Sequence, residues 1–159
     1  MKLDAYDVRL LETLQRAGRS TAAELAQTVR LSPSQCQRRM KRLEEAGVIR
    51  GYVALLDTER LGLEVSAIVS VSLAAQSPAQ AEAFHAVVRE RPEILECYMV
   101  SGEADYVLKV VAPDLKGFSE FLLTHLLALP AVAGVRSNIL LDSLKATTRV
   151  PVSAGRRDE

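Results

Sequence analysis

Apolar side chains in the first fifty residues recur every three or four positions, in three short runs separated by turn residues. In residues 4–17, Val8, Leu11 and Leu14 fall on one face with Leu10 beside them, and Gly18 ends the run. That period predicts an amphipathic helix. Ala22, Leu25, Ala26 and Val29 predict a second over 22–29, which Ser20 or Thr21 can cap. A third begins at Leu31-Ser32-Pro33-Ser34-Gln35. Ser32 suits the N-cap, Pro33 suits the first helical position, and Gln35 completes a capping box, while Leu31 can staple onto Cys36. The run continues to Ala46, and Gly47 stops it.

Beyond Gly47 the period changes. Residues 48–56 are β-branched and aromatic enough to predict a strand, and 57–63, with Gly62, a linker. Strands are expected over 65–73, 94–100, 105–111 and 135–144, with a turn at 101–104 around Gly102. A helix over 78–90 turns Ala81, Phe84, Val87 and Val88 inward. Another, capped by Asp114 and covering 115–129, turns Leu115, Phe118, Leu122, Leu126 and Leu129 inward. The order after residue 64 is β-α-β-β-α-β, the pattern of a ferredoxin-like sandwich. The expected class is therefore α+β. A three-helix helix-turn-helix domain spans 1–50, a connecting strand and linker 51–64, a βαββαβ domain 65–150, and a frayed tail 151–159.

Composition narrows the function. No apolar run approaches the roughly 20 residues that span a bilayer, and residues 1–12 read as a charged amphipathic start rather than a signal peptide. Cys36 and Cys97 are too few for a zinc site or a disulfide framework. A reduced, cytoplasmic protein with no membrane partner is expected. Formal net charge is zero, but it is a cancellation: residues 1–60 hold 11 Lys/Arg against 8 Asp/Glu, a balance of +3, which the rest of the chain offsets. That asymmetry suggests a nucleic-acid-binding half joined to a half with another task.

The basic residues concentrate on the third predicted helix. With Cys36, Met40 and Leu43 buried, Ser34, Gln35, Arg38 and Arg42 take the opposite side, flanked by Arg39 and Lys41. The second helix of a helix-turn-helix lies in the major groove with its N-terminal residues toward the bases. Ser34, Gln35 and Arg38 are therefore expected at base edges, and Arg39, Lys41 and Arg42 at phosphates, since Arg reads guanine and Gln adenine while surplus cations hold the backbone. Ser20 and Thr21 lie where the preceding helix would meet the DNA backbone, although both can serve simply as caps. His85 and His125 have no ligand-spaced partners and are expected to be surface or packing residues, so neither metal nor cofactor is expected. No nucleophile–base pair, phosphate loop or paired carboxylate set suggests an enzyme.

Together, Leu3-Asp4, Leu31-Ser32-Pro33, Arg38-Arg39-x-x-Arg42-Leu43-Glu44, Ala46-Gly47-Val48-Ile49, Gly51-Tyr52-x-Ala54, Cys97-Tyr98-x-Val100-Ser101-Gly102-x-x-Asp105-Tyr106, Leu129-Pro130-x-Val132 and Val135-Arg136-Ser137 resemble the Lrp/AsnC (leucine-responsive and asparagine-responsive, or feast/famine) regulators. The resemblance runs from about Leu3 to Val152 and departs at Ala131, where glycine is commoner. It implies an N-terminal DNA-binding domain and a C-terminal domain for effector binding and oligomerisation, with dimers, and often octamers, that bind double-stranded DNA under the control of an amino acid or related metabolite. Carried onto this chain, it implies an effector site at Gly102 and Asp105, with Met99, Val100 and Ser101 before the turn and Ser137 and Asn138 on the last strand. A glycine turn lets backbone N–H groups approach a carboxylate, and Asp105 can accept from an ammonium group. Without the resemblance, Gly102 and Asp105 read as an ordinary hairpin turn. The competing reading is an architectural, nucleoid-associated DNA-binding protein with little ligand control.

Overall fold

The computed structural model describes residues 1–75 and 77–154. They form two compact units, one of Met1–Leu55 with the chain from Lys145 onward, the other Leu56–Leu144.

In the first unit, α1 (Ala5–Arg16), α2 (Ala22–Val29) and α3 (Pro33–Glu45) each open on a capping box: Asp4 with Asp7, Thr21 with Glu24, Ser32 with Gln35. Each box gives otherwise unpaired first-turn N–H groups a side-chain acceptor. Leu10, Leu14, Leu25, Ala26, Val29 and Cys36 form the core, with Leu31, Met40 and Ile49 against it. Arg30 turns the chain from α2 into α3 with a left-handed backbone (φ 58°), at a cost of about 1–2 kcal/mol for a residue with a Cβ. Gly47 (φ 68°) ends α3: its N–H donates to the Glu44 carbonyl and that of Val48 to Leu43. Residues 145–154 carry no helix or strand, but the Gln15 side-chain amide accepts from Val150 N–H (2.6 Å) and donates to its carbonyl (3.1 Å). Of the tail expected to fray, residues 155–159 lie outside the described residues.

In the second unit, β1 (Val65–Leu73), β2 (Ile94–Met99), β3 (Tyr106–Ala112) and β4 (Val132–Ile139) make one antiparallel sheet in the order β2-β3-β1-β4. With α4 (Pro78–Glu90) and α5 (Leu115–Phe121), this is the expected βαββαβ order. β1 alternates strictly: Val65, Ala67, Val69 and Val71 are buried against Phe84, Leu108, Phe118 and Leu126, while Ser66, Ile68, Ser70 and Ser72 take the other face. One face of the sheet is thus the core, and the other is open in a single chain.

Three elements differ from expectation. The strand expected over 48–56 does not form, and residues 51–57 carry no ladder. A strand needs a partner for its N–H and C=O groups, and within one chain this segment has none; Val53, Leu55 and Leu56 stand 84%, 74% and 70% exposed. The helix expected over 115–129 is interrupted, α5 passing into a π turn at Leu122–Leu126 with Leu127 N–H on the Leu122 carbonyl at 2.8 Å. Phe121 and Leu126 are both buried. Five residues apart, they point about 140° away from each other on an α-helix, and the wider turn lets both reach the core, leaving Leu115 outside. Finally, β4 begins at Val132 and stops at Ile139, because its pairing with β1 runs out at Ala67.

Phe84 is fully buried at the centre of this second core, 4.7 Å from the Tyr106 ring. Phe84→Ala is expected to cost about 3–5 kcal/mol, seen as a large fall in the urea midpoint. A near-native midpoint would mean that the core does not depend on it.

Candidate nucleic-acid interface and ligand cleft

The structure sorts the polar residues of α3 by what already holds them. Cys36 and Leu43 are buried, and Met40 packs on the core. Burial raises the Cys36 thiol's pKa, with Arg39 partly opposing, as suits an inert packing residue. Arg38 is exposed with no partner among the described residues. Lys41, also exposed, lies 3.8 Å from Glu45. Ser34 Oγ is 3.1 Å from Ser32 Oγ, and the Gln35 carbonyl oxygen is turned back onto Ser32 N–H at 3.0 Å, which leaves the Gln35 amide nitrogen outward. Ser20 Oγ donates to the Ala17 carbonyl, and Thr21 caps α2.

Arg39 and Arg42, expected at phosphates, are engaged inside the protein. Arg39 Nη1 meets Asp4 Oδ2 at 2.7 Å and Asp7 Oδ1 at 2.8 Å, and Arg42 Nη2 meets Asp7 Oδ2 at 2.6 Å. Asp7 also accepts from Asp4 N–H at 3.1 Å. The Arg39 guanidinium lies 5.4 Å from the centre of the Tyr6 ring. Desolvation pushes the Asp4 carboxyl up, but Asp7 N–H and the Arg39 guanidinium together hold it below the usual range. Arg39 is raised above its ordinary value, chiefly by Asp4. The sequence reading placed Asp4 and Asp7 in a charged amphipathic start and missed them as partners of Arg39 and Arg42. The signal was present: Asp7, Leu10, Leu11 and Leu14 share one helical face, and an acid on a buried stripe requires a cation opposite. Tyr52 ties the start of the linker to α3 by donating to Glu44 Oε1 at 2.9 Å; desolvation and then Glu44 push its phenol up to about 12.

In the second unit the β2–β3 turn carries the residues expected to bind an effector. Gly102 has φ 135°, a conformation that L side chains rarely adopt, with nothing within 4 Å of where a Cβ would sit. Asp105 Oδ2 accepts Leu73 N–H at 2.8 Å, which ties the turn to the end of β1. Met99, Ser101, Ser137 and Asn138 are exposed, and Val100 is 36% exposed. Ser137 and Asn138 pair with Val69 and Ile68, so β1 separates them from the turn, and the structure does not bring them together with Gly102. What it brings together across β1 is an open cleft of about 390 Å³, lined by Ser70, Ser72, Glu103, Ala104, Gly134 and Arg136 among others. Arg136 Nη1 lies 3.4 Å from Glu103 Oε2. These residues come from two strands and a turn, and only the register joins them.

His85 Nε2 is 2.9 Å from the Tyr106 hydroxyl. His125 lines a second cleft of about 240 Å³ with Glu93, whose Oε2 is buried without a hydrogen-bond partner, and nothing in the structure explains that oxygen. Among the described residues no group of three or more His, Cys, Asp or Glu is placed to hold a metal, and no helix is long and apolar enough to cross a membrane.

A capped three-helix unit with a basic third helix, followed by a βαββαβ unit with a cleft over its sheet, defines a ligand-modulated DNA-binding transcription regulator. Residues 3–50 match the family described as winged helix-turn-helix DNA-binding, and residues 66–150 the Lrp/AsnC ligand binding domain. The chain belongs to the Lrp/AsnC family. It is 41% identical to a leucine-responsive regulatory protein of Rhizobium meliloti (strain 1021), over 96% of this chain and 97% of that one. A transcriptional regulator of Neisseria meningitidis, solved as an L-Met complex, superposes with a TM-score of 0.91 at 42% identity, over 94% of this chain and 96% of that one. An AsnC family regulator of Agrobacterium tumefaciens gives 0.88 at 36% identity, over 94% and 97%.

The ion cluster allows a direct test. Asp7 is 1% exposed, whereas its Arg partners keep some water. Asp7→Asn is therefore expected to destabilise the first unit by about 2–3 kcal/mol, below the full cost of stranding a buried charge. The check is thermal unfolding followed at 222 nm; an unchanged midpoint would mean the cluster contributes nothing to the fold.

Proposed function

We propose that α3 reads DNA through Ser34, Gln35 and Arg38, with Lys41, Ser20 and Thr21 holding the backbone, and that Arg39 and Arg42 reach phosphates only in competition with Asp4 and Asp7. The observation that carries this reading is Arg38, exposed and unpaired among the described residues, about one and a half turns from the capped start of the helix. A cation not already spent on the fold is the one available for bidentate contact with a guanine edge.

The effector is an aliphatic amino acid of the leucine or methionine kind, held where the Gly102–Asp105 turn borders the cleft over β1 and β4. The leucine-responsive relatives and the L-Met complex of the Neisseria regulator support that chemistry. The turn offers backbone N–H groups for a carboxylate, and Asp105 a negative charge for an ammonium group. The protein works in the cytoplasm as a homodimer that assembles further, to an octamer, without catalysing a reaction. Supporting self-association are the open sheet face and the exposed Val53, Leu55, Leu56, Leu141 and Leu144, since isolated chains rarely leave so much apolar surface uncovered.

Arg38→Ala is expected to weaken binding to a selected operator by about 1–3 kcal/mol; unchanged affinity in a fluorescence anisotropy titration would remove Arg38 from the base-reading set. For the effector, Asp105→Asn keeps an acceptor for Leu73 N–H but loses the charge. Leucine or methionine at a hundredfold excess over its dissociation constant should stabilise the wild type by about 2.7 kcal/mol, and Asp105→Asn should abolish both that shift and any ligand effect on DNA affinity. A variant that responds normally would reject Asp105 as the ammonium partner.

A further inference from the structure

Where α1 begins beside α3, four charges meet and cancel. Asp4 and Asp7 face Arg39 and Arg42 across separations of 2.6–2.8 Å. Of the four cations along α3 between Arg38 and Arg42, Arg39 and Arg42 are therefore answered by α1, and Lys41 lies beside Glu45 on its own helix. The two acids are not equivalent. Asp7 is 1% exposed and belongs to the core, while Asp4 is 48% exposed.

Asp4 also uses its two oxygens differently. Oδ1 caps α1, accepting from Tyr6 N–H at 2.9 Å and Asp7 N–H at 2.8 Å. Oδ2 takes Arg39 at 2.7 Å, an interaction that capping does not require. Asparagine caps helices as well as aspartate does, so the carboxylate at this position matters for its charge rather than for α1. With the Tyr6 ring, it holds the guanidinium against α1.

We propose that Asp4 is a specificity-determining residue of the DNA-binding surface: beside Asp7, it withdraws Arg39 from the phosphates and so weakens sequence-independent attraction, without touching the base-reading residues of α3. This rests on α3 being the DNA-reading helix. Non-specific affinity follows the number of phosphates that a protein neutralises, and an internal carboxylate that occupies a cation lowers that number without touching base contacts. Asp4 thus acts as an intramolecular substitute for a phosphate.

The test measures binding of the full-length protein to a random-sequence duplex of about 30 base pairs, by fluorescence anisotropy across a range of KCl. Four proteins are compared: the wild type, Asp4→Asn, Glu12→Gln and the double variant Asp4→Asn/Arg39→Gln. Glu12 lies on the exposed side of α1, so its variant makes the same change in net charge away from the cluster. Asp4→Asn should bind more tightly, with a salt slope steeper by about 0.9 per chain. Its advantage over the wild type should then shrink about 3.5-fold between 50 and 200 mM KCl. Glu12→Gln should follow the wild type, and the double variant should lose the gain. Three results would each overturn the proposal: a slope unchanged in Asp4→Asn, an equal gain in Glu12→Gln, or a gain that persists without Arg39. If instead Arg38→Ala leaves duplex and operator binding untouched while Asp4→Asn behaves as expected, the base-reading assignment fails and the proposal stands.

Discussion

The buried carboxylate of Asp7 is the constraint on which the first unit depends. It accepts from Asp4 N–H, Arg39 and Arg42 at once, and it joins the first turn of α1 to the middle of α3. A charge in an apolar setting persists only where donors surround it, so the position of α3 is determined by electrostatics as well as by the packing of Cys36, Met40 and Leu43. Apolar contacts tolerate sliding and rotation, whereas charged hydrogen bonds near 2.7 Å do not. The face that α3 turns outward is set by the cations it turns inward.

The second unit separates stability from exchangeable function by the alternation of β1. Its valines and Ala67 close the core, and its serines furnish the open face. The cleft borders that face at the end where the β2–β3 turn meets β4, and Asp105 fastens the turn to β1 through Leu73 N–H. A ligand that engages this turn acts on the end of a core strand rather than on a free loop.

Much of this was legible in the sequence, because caps and periods are local. The box at Ser32, a cap at Ser20 or Thr21, the glycine stop at Gly47 and the limits of β1 and α4 follow from spacing alone. What escaped depended on distant partners. Arg39 and Arg42 read as surface cations until Asp7, more than thirty residues earlier, is placed beside them. Ser70, Ser72, Glu103 and Arg136 share a cleft only through the sheet register. Residues 48–56 have the composition of a strand, but a ladder requires a second edge, which composition cannot supply. Gly102 and Asp105 were legible as a turn from chemistry, and the effector role proposed for them comes only from the family resemblance.

The π turn at Leu122–Leu126 has a consequence for chain length. It works as a frameshift in the side-chain pattern, one residue beyond what an α-helical turn would hold, so that upstream and downstream positions follow different helical phases. Shortening this turn by one residue would restore a regular helix with Phe121 and Leu126 four positions apart, about 40° from each other, so that both would still face the core. The extra residue is therefore an insertion that the wide turn absorbs, and a deletion inside Leu122–Leu126 disturbs the core less than one in the regular part of α5, which would turn Phe118 and Phe121 out of phase with Leu126.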